Sequence, residues 1–211
     1  MKYIELFAGC GGLSVGLESL KYEMVFANEL SPMASETFAY NLLGENLRQR
    51  ADDQKSSTQV KWISSQYNSN ELRERLRENP QKYPKFSLQK NELGNCLNDL
   101  KGKLLVGNIV ELNKYLTSHL NIINDLKKLN IDLVSGGPPC QSFSMAGLRQ
   151  HDNTRNTLPM DFAKLTGIVR PKIALLENVS GILRAFSLPS GKHYAWFEVA
   201  KAFVSQGYYP L

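Results

Sequence analysis

Apolar residues come in short runs, and these alternate with stretches in which they recur at helical spacing. Tyr3 to Phe7 reads as a strand that runs into Ala8-Gly9-Cys10-Gly11-Gly12, after which Leu13, Leu17 and Leu20 recur with a helical period. Met24 to Asn28 is a second strand, closed by Glu29. Ser31-Pro32 starts a helix with Pro32 at its first position, and the pattern carries it to Leu42 or Leu43 before Gly44. Lys103 to Val106 predicts another strand. Residues 113–129 predict an amphipathic helix with Leu116, Leu120, Ile123, Leu126 and Leu129 as its stripe. Ile131 to Val134 and Ile173 to Leu176 are continuous apolar runs, the pattern of buried strands. Leu158 to Val169 reads as a helix with Pro159 in its first turn and Arg170-Pro171 at its end. Tyr194 to Ser205 is a last one, closed by Gly207. The alternation predicts an α/β fold, a mostly parallel sheet with helices on both faces.

Between about 44 and 102 this regularity lapses. Asp52 to Thr58 reads as a loop, and Glu71 to Glu78 as a short charged helix offering only Leu72 and Leu76 to a core. We expect a polar insertion in the domain, with the charge run as solvated surface. The net charge is +5, and residues 44–103 hold 12 Lys and Arg against 8 Asp and Glu, leaving 13 against 12 elsewhere. Nucleic-acid binding is permitted by that balance but not required by it. The hydrophobic share of 42% over 211 residues is ordinary for one globular catalytic-size domain spanning 1–211. No apolar run reaches membrane-spanning length and no signal-peptide pattern is present, so no membrane partner is expected. Cys10, Cys96 and Cys140 form no CxxC pair, which predicts an intracellular, reducing setting, cytoplasmic in a bacterium. The three histidines lack metal-ligand spacing, and no metal is expected.

The candidate chemistry sits at strand ends. A glycine turn between strand and helix, followed by an acid after the next strand, is the pattern of a nucleoside site, the acid accepting from ribose hydroxyls. The spacing is GxGG rather than GxGxxG, which suits a cofactor with adenosine but no pyrophosphate, such as S-adenosylmethionine. Val134-Ser135-Gly136-Gly137-Pro138-Pro139-Cys140-Gln141-Ser142-Phe143-Ser144 carries a strand into a bend with two prolines, which holds the Cys140 thiol stiffly at a strand's carboxyl end. A cysteine alone is more often a small buried hydrophobe. Here Glu177-Asn178-Val179 is delivered to the same sheet edge, and a polar loop, Gln150 to Asn156, follows.

Together these segments resemble the cytosine-5 DNA methyltransferases. Phe7-Ala8-Gly9-Cys10-Gly11-Gly12 resembles that family's first motif and Asn28-Glu29 its second. Pro138-Pro139-Cys140-Gln141 resembles the catalytic fourth, Thr154-Arg155-Asn156-Thr157-Leu158 the fifth, and Glu177-Asn178-Val179 the sixth. The resemblance covers most of the chain outside 44–102 and implies a Rossmann-like S-adenosylmethionine-dependent methyltransferase fold.

It also implies roles. Cys140 would add to carbon 6 of a flipped-out cytosine and Glu177 would hold or protonate ring N3, so that carbon 5 takes the methyl group. Phe7, Ala8, Gly9, Gly11, Gly12, Glu29, Asn108, Ile109, Pro139 and Leu158 would contact S-adenosyl-L-methionine. Gln141, Ser144, Asn178 and Arg155 would face double-stranded DNA. Asn108 stands where the family usually has an aspartate that reaches the adenine amino group, and its carbonyl could accept the same bond. Cys10 is expected to pack and Cys96 to be a free thiol. The family's glutamine-and-arginine motif, target-recognition domain and final segment are not in these residues. That predicts a fold incomplete at its C-terminus, either a fragment or one subunit of a split enzyme, completed by the missing part or by a subunit carrying the target-recognition domain. A restriction-modification setting is implied, with a tRNA methyltransferase or a non-catalytic cofactor-binding fragment as the other readings.

Overall fold

A computed structural model describes residues 1–79, 91–139, 157–183, 185–188 and 191–211. Six parallel strands form the sheet: β1 (Lys2–Leu6), β2 (Glu23–Glu29), β3 (Val60–Trp62), β4 (Lys103–Val106), β5 (Leu133–Gly136) and β6 (Ile173–Leu176). Their order across the sheet is β3-β4-β2-β1-β5-β6. The chain leaves β1 toward β2 and leaves β5 toward β6, in opposite directions. The crevice above the carboxyl ends of β1 and β5 is therefore the topological switch point, where open α/β sheets place ligands.

Side-chain alternation sends each strand's residues to two cores. Tyr3, Met24, Ala27, Leu104 and Val106 pack with Leu17 of α1 (Gly12–Ser19), Phe38 and Ala39 of α2 (Pro32–Leu42) and Leu47 of α3 (Leu47–Asp52). On the other face Ile4, Leu6, Leu105 and Val134 meet α5 (Ile109–Ser118), α6 (Leu120–Lys128), α7 (Leu158–Val169) and α8 (Ala195–Ser205). A register shift between Tyr3 and Ile4 lets β2 turn both Val25 and Phe26 to this second face. Helix α2 begins as its sequence predicts, with Ser31 as N-cap accepting from the Ala34 N–H and Pro32 in the first turn.

Several expectations need correction. The segment 44–102 is polar in composition, yet it supplies α3, the edge strand β3 and the short helix α4 (Leu72–Arg75), with Leu47, Val60, Trp62, Ile63 and Leu72 in the cores. Its charge run is not all solvated. Arg75 is 2% exposed, pairs with Glu92 at 2.6 Å, donates to the Tyr67 carbonyl and lies over the Trp62 ring, while Glu78 accepts from Ser65 and the Gln66 N–H. The helix expected over 113–129 starts at Ile109 instead and breaks at His119. There the ring bridges the Tyr115 carbonyl and Asn95, and Leu120 is left exposed. β6 is an edge strand: Ala174 and Leu176 pack inward, whereas Ile173 and Leu175 are exposed on a face that no helix covers among the described residues. In α1 only Leu17 of the predicted apolar row is buried. A hairpin of β7 (Phe186–Leu188) and β8 (Gly191–His193) precedes α8. No helix among the described residues is long and apolar enough to cross a membrane.

Candidate active site

The turn after β1 is built by conformations that its sequence allows. Phe7 itself has φ +54°, a left-handed value rare outside glycine, and Gly11 takes φ +88° as the N-cap of α1. A Cβ on Gly11 would lie 2.3 Å from Leu42 and 2.9 Å from Phe38, so a larger residue would push α2 away. The turn is tied to the end of β2 by the Ala8 N–H donating to the Asn28 carbonyl at 3.0 Å. A second tie comes from the Gly9 N–H, which donates to Glu29 Oε2 at 2.8 Å. The other carboxylate oxygen of Glu29 accepts from the Ser31 N–H at 2.7 Å. Two backbone donors on opposite sides thus fix this acid's orientation, and each oxygen keeps a lone pair for a ligand.

Asn28, 2% exposed, extends the lock to the next strand. Its amide donates to the carbonyls of Leu105 and Gly107 at 2.9 and 3.0 Å, and the Gly107 N–H donates to the Glu29 carbonyl at 2.8 Å. Gly107 takes φ +147°, and Ile63 stands 2.9 Å from where a Cβ would be, so both its backbone and its surroundings call for glycine. Asn108 then caps α5, its Oδ1 accepting from the Val110 N–H at 2.9 Å. The carbonyl expected to face a cofactor is therefore already engaged.

On the other side of the crevice, Gly136 lies so close to β1 that a Cβ would sit 2.2 Å from the Leu6 carbonyl oxygen. The Glu177 N–H donates to the Gly136 carbonyl at 3.0 Å, which sets the end of β6 beside the end of β5. Glu177 Oε2 lies 2.6 Å from the position a Gly137 side chain would occupy. The carboxylate therefore rests against bare backbone three residues before Cys140.

A cavity of about 300 Å³ opens between these ends, lined by Phe7, Asn28, Glu29, Leu30, Ser31, Gly107, Asn108, Ile109, Gly137, Pro139 and Leu158. Of the residues expected at a cofactor, Phe7, Glu29, Asn108, Ile109, Pro139 and Leu158 are brought together in its walls. Ala8, Gly9, Gly11 and Gly12 are not among the lining residues; they shape the turn behind it. Asn178 folds back to accept from the Val179 N–H, and its buried Nδ2 has no partner among the described residues. Cys140, Gln141, Ser144 and Arg155, with the polar loop 150–156, lie outside the described residues. Cys10 is exposed rather than packed, and Cys96 is exposed as expected.

One ionisable group beneath the site was not foreseen. Glu5 is 3% exposed on β1 and accepts from the Ser14 hydroxyl of α1. Burial pushes its carboxyl from 4.5 up to about 7; the Ser14 bonds oppose that rise, and the charges of Glu29 and Glu18 add to it. The signal in the sequence was an acid inside an otherwise apolar strand, which has to be neutralised or bonded when buried.

Comparison with known proteins places the chain in a family. The sequence profile of the C-5 cytosine-specific DNA methylases matches residues 1–61 and 108–209. Over 208 residues the chain is 25% identical to the Type II methyltransferase M.DdeI of Desulfomicrobium norvegicum, covering 99% of this chain and 34% of that protein. It is 27% identical over 206 residues to the Type II methyltransferase M.XorII of Xanthomonas oryzae pv. oryzae, covering 97% and 33%. The chain thus spans about a third of the length of these relatives. A crystal structure described as a DNA modification methyltransferase encoded within an E. coli prophage superposes with a TM-score of 0.52 at 20% identity, over 97% of this chain and 38% of that one, and shares the fold.

Proposed function

Because the chain belongs to the C-5 cytosine-specific DNA methylase family, we propose that it forms the cofactor-binding and catalytic part of an enzyme that methylates carbon 5 of cytosine in duplex DNA, within a restriction-modification system. The observation that carries this reading is the shared wall at Gly137. This residue lines the nucleoside-sized cavity and also bears the Glu177 carboxylate against its backbone. A methyl donor and the group that handles the base must be neighbours, since reacting atoms have to approach to about 3–3.5 Å.

The cavity suits S-adenosylmethionine. Its volume lies at the small end of the range of about 300–1,000 Å³ common for ligand pockets, and Phe7, Ile109 and Leu158 give it apolar walls for a base. Glu29, fixed by two backbone donors, supplies an acceptor for ribose hydroxyls. Bound there, the cofactor would supply an electrophilic methyl group.

The remaining steps belong to side chains. The Cys140 thiolate adds to carbon 6 of the flipped cytosine, forming a C–S bond as the C5–C6 π pair makes carbon 5 nucleophilic. Glu177 holds a proton at ring N3, so that no anion builds up on the base. Carbon 5 takes the methyl group. Its proton then leaves to a base, and the C–S bond breaks as the pair returns to restore the ring and the thiolate.

The test is a duplex oligonucleotide with 5-fluorocytosine at the target, incubated with S-adenosylmethionine and this chain completed by the part that carries target recognition. Fluorine cannot leave as a cation, so the covalent adduct accumulates. It is expected with the natural sequence and lost in Cys140→Ala. An adduct that survives that substitution would overturn the assignment.

A further inference from the structure

We propose that Asn108 presents a hydrogen-bond donor to the base of the bound nucleoside, so that the pocket reads a ring acceptor and not the exocyclic 6-amino group. The inference rests on the nucleoside-cofactor reading given above. It starts from the N-cap. Asn108 Oδ1 accepts from the Val110 N–H at 2.9 Å, and Asn108 Nδ2 donates to none of the described residues. Turning the amide over would place NH2 against the Val110 N–H, donor on donor, and would forfeit a cap typically worth about 1 kcal/mol. The amide orientation is thus locked by the helix, and the free group is the donor.

The place of Asn108 gives that donor a target. The polar side chains in the wall are those of Asn28, Glu29, Ser31 and Asn108. Asn28 spends its amide hydrogens on Leu105 and Gly107, whereas the Ser31 hydroxyl accepts from the Ala34 N–H at the start of α2 and keeps a rotatable donor of its own beside Glu29. Glu29 remains as a fixed acceptor at the end of β2, and Asn108 as a fixed donor two residues past the end of the neighbouring β4. With ribose hydroxyls on Glu29, the base lies among Phe7, Ile109 and Leu158, and its polar edge meets Asn108. A donor there pairs with a ring nitrogen of a purine. It offers nothing to an amino group, which is itself a donor.

The experiment measures binding of S-adenosylhomocysteine and of its 6-deamino (purine riboside) counterpart by calorimetry, to the natural chain and to Asn108→Asp. Aspartate caps a helix as well as asparagine does, and its second oxygen replaces the donor by an acceptor. The natural chain should bind the two compounds within about threefold, while Asn108→Asp should favour the amino compound by about tenfold, the factor of one hydrogen bond. The two ligands have the same charge, so the added carboxylate does not bias their ratio. If the natural chain already prefers the amino compound tenfold, or if the ratio is the same in both proteins, the inference is wrong while the cofactor site stands. If neither compound binds either protein, the cofactor reading falls and the inference with it.

Discussion

Replacing Glu5 by Gln removes a charge from beneath the glycine turn without changing the shape of the side chain. Glu5 is 3% exposed, bonded to Ser14, and has its carboxyl raised from 4.5 to about 7. Between those values the folded protein holds a proton that the unfolded chain has lost. The natural protein therefore loses stability as pH rises from about 4.5 through 7, and the loss levels off above 7. Each pKa unit corresponds to about 1.4 kcal/mol, so the full shift is worth about 3 kcal/mol, most of it expressed between pH 5 and 8. Glu5→Gln cannot ionise and keeps an acceptor for Ser14. Urea unfolding at intervals from pH 5 to 8 should give curves for the two proteins that nearly coincide at the acid end. They should diverge by about 3 kcal/mol at pH 8, with Glu5→Gln the more stable. Other raised acids, Glu78 and Asp161, are common to both proteins and cancel in the difference. Parallel curves across the range, or a variant less stable at pH 8, would refute the claim that burial of the Glu5 carboxylate outweighs its bonds from Ser14.

Gly137→Ala places a methyl group 2.6 Å from Glu177 Oε2. The exposed carboxylate should swing away, leaving stability within about 0.5 kcal/mol but cutting 5-fluorocytosine adduct formation by roughly tenfold to a hundredfold. Asn28→Ala removes both donors to Leu105 and Gly107. It should cost about 2–4 kcal/mol in urea unfolding and weaken S-adenosylhomocysteine binding on the order of tenfold, because the loop carrying Asn108 loses its anchor. Arg75→Ala leaves Glu92 without its cation and should cost about 3–5 kcal/mol, whereas Arg73→Ala, two residues away and paired at the surface with Asp52, should stay within about 0.5 kcal/mol. Equal effects from the two arginines would show that the charge run is solvated after all.

Five of the six strands were legible because each is an apolar run with a turn at its carboxyl end, and the ligand edge was legible because the chemistry-bearing residues follow those runs; β3, inside the polar segment, was not. What escaped has a common cause: it depends on neighbours distant in sequence. Nothing local in ELRERLRE distinguishes Arg75 from Arg73; Trp62 and Glu92 do so, 13 and 17 residues away. Ile173 to Leu176 has the composition of a central strand, yet at the sheet's edge no helix among the described residues covers the face that carries Ile173 and Leu175. The break at His119 is fixed by Asn95, on a segment far back in the chain. The likeness in motifs could propose Asn108 as a cofactor contact, but which end of its amide is free depends on where α5 starts. The hydrophobic period placed that start four residues too late.

The interlocking of strand ends explains why residues that never touch a ligand are needed at this site. Glu29 is aimed by Gly9 on one side and Ser31 on the other, and Asn108 is aimed by the helix it caps. Gly9 is held by its own turn, and Gly107, just before Asn108, is held by Asn28. Each directing contact comes from a backbone group or a side chain bonded to one, so the polar groups of the cavity have little freedom to lose when a nucleoside enters. Preorganisation of that kind favours affinity by lowering the ordering cost of binding. Glu177 is different. Its carboxylate is exposed, no neighbour among the described residues donates to it, and its place is defined by the space above Gly137. The wall that carries Glu29 and Asn108 is thus fixed by hydrogen bonds in advance, while none of the described residues donates to the Glu177 carboxylate. Under the proposed function, such a division would suit a reaction in which the donor waits in place and the acceptor arrives by leaving a duplex.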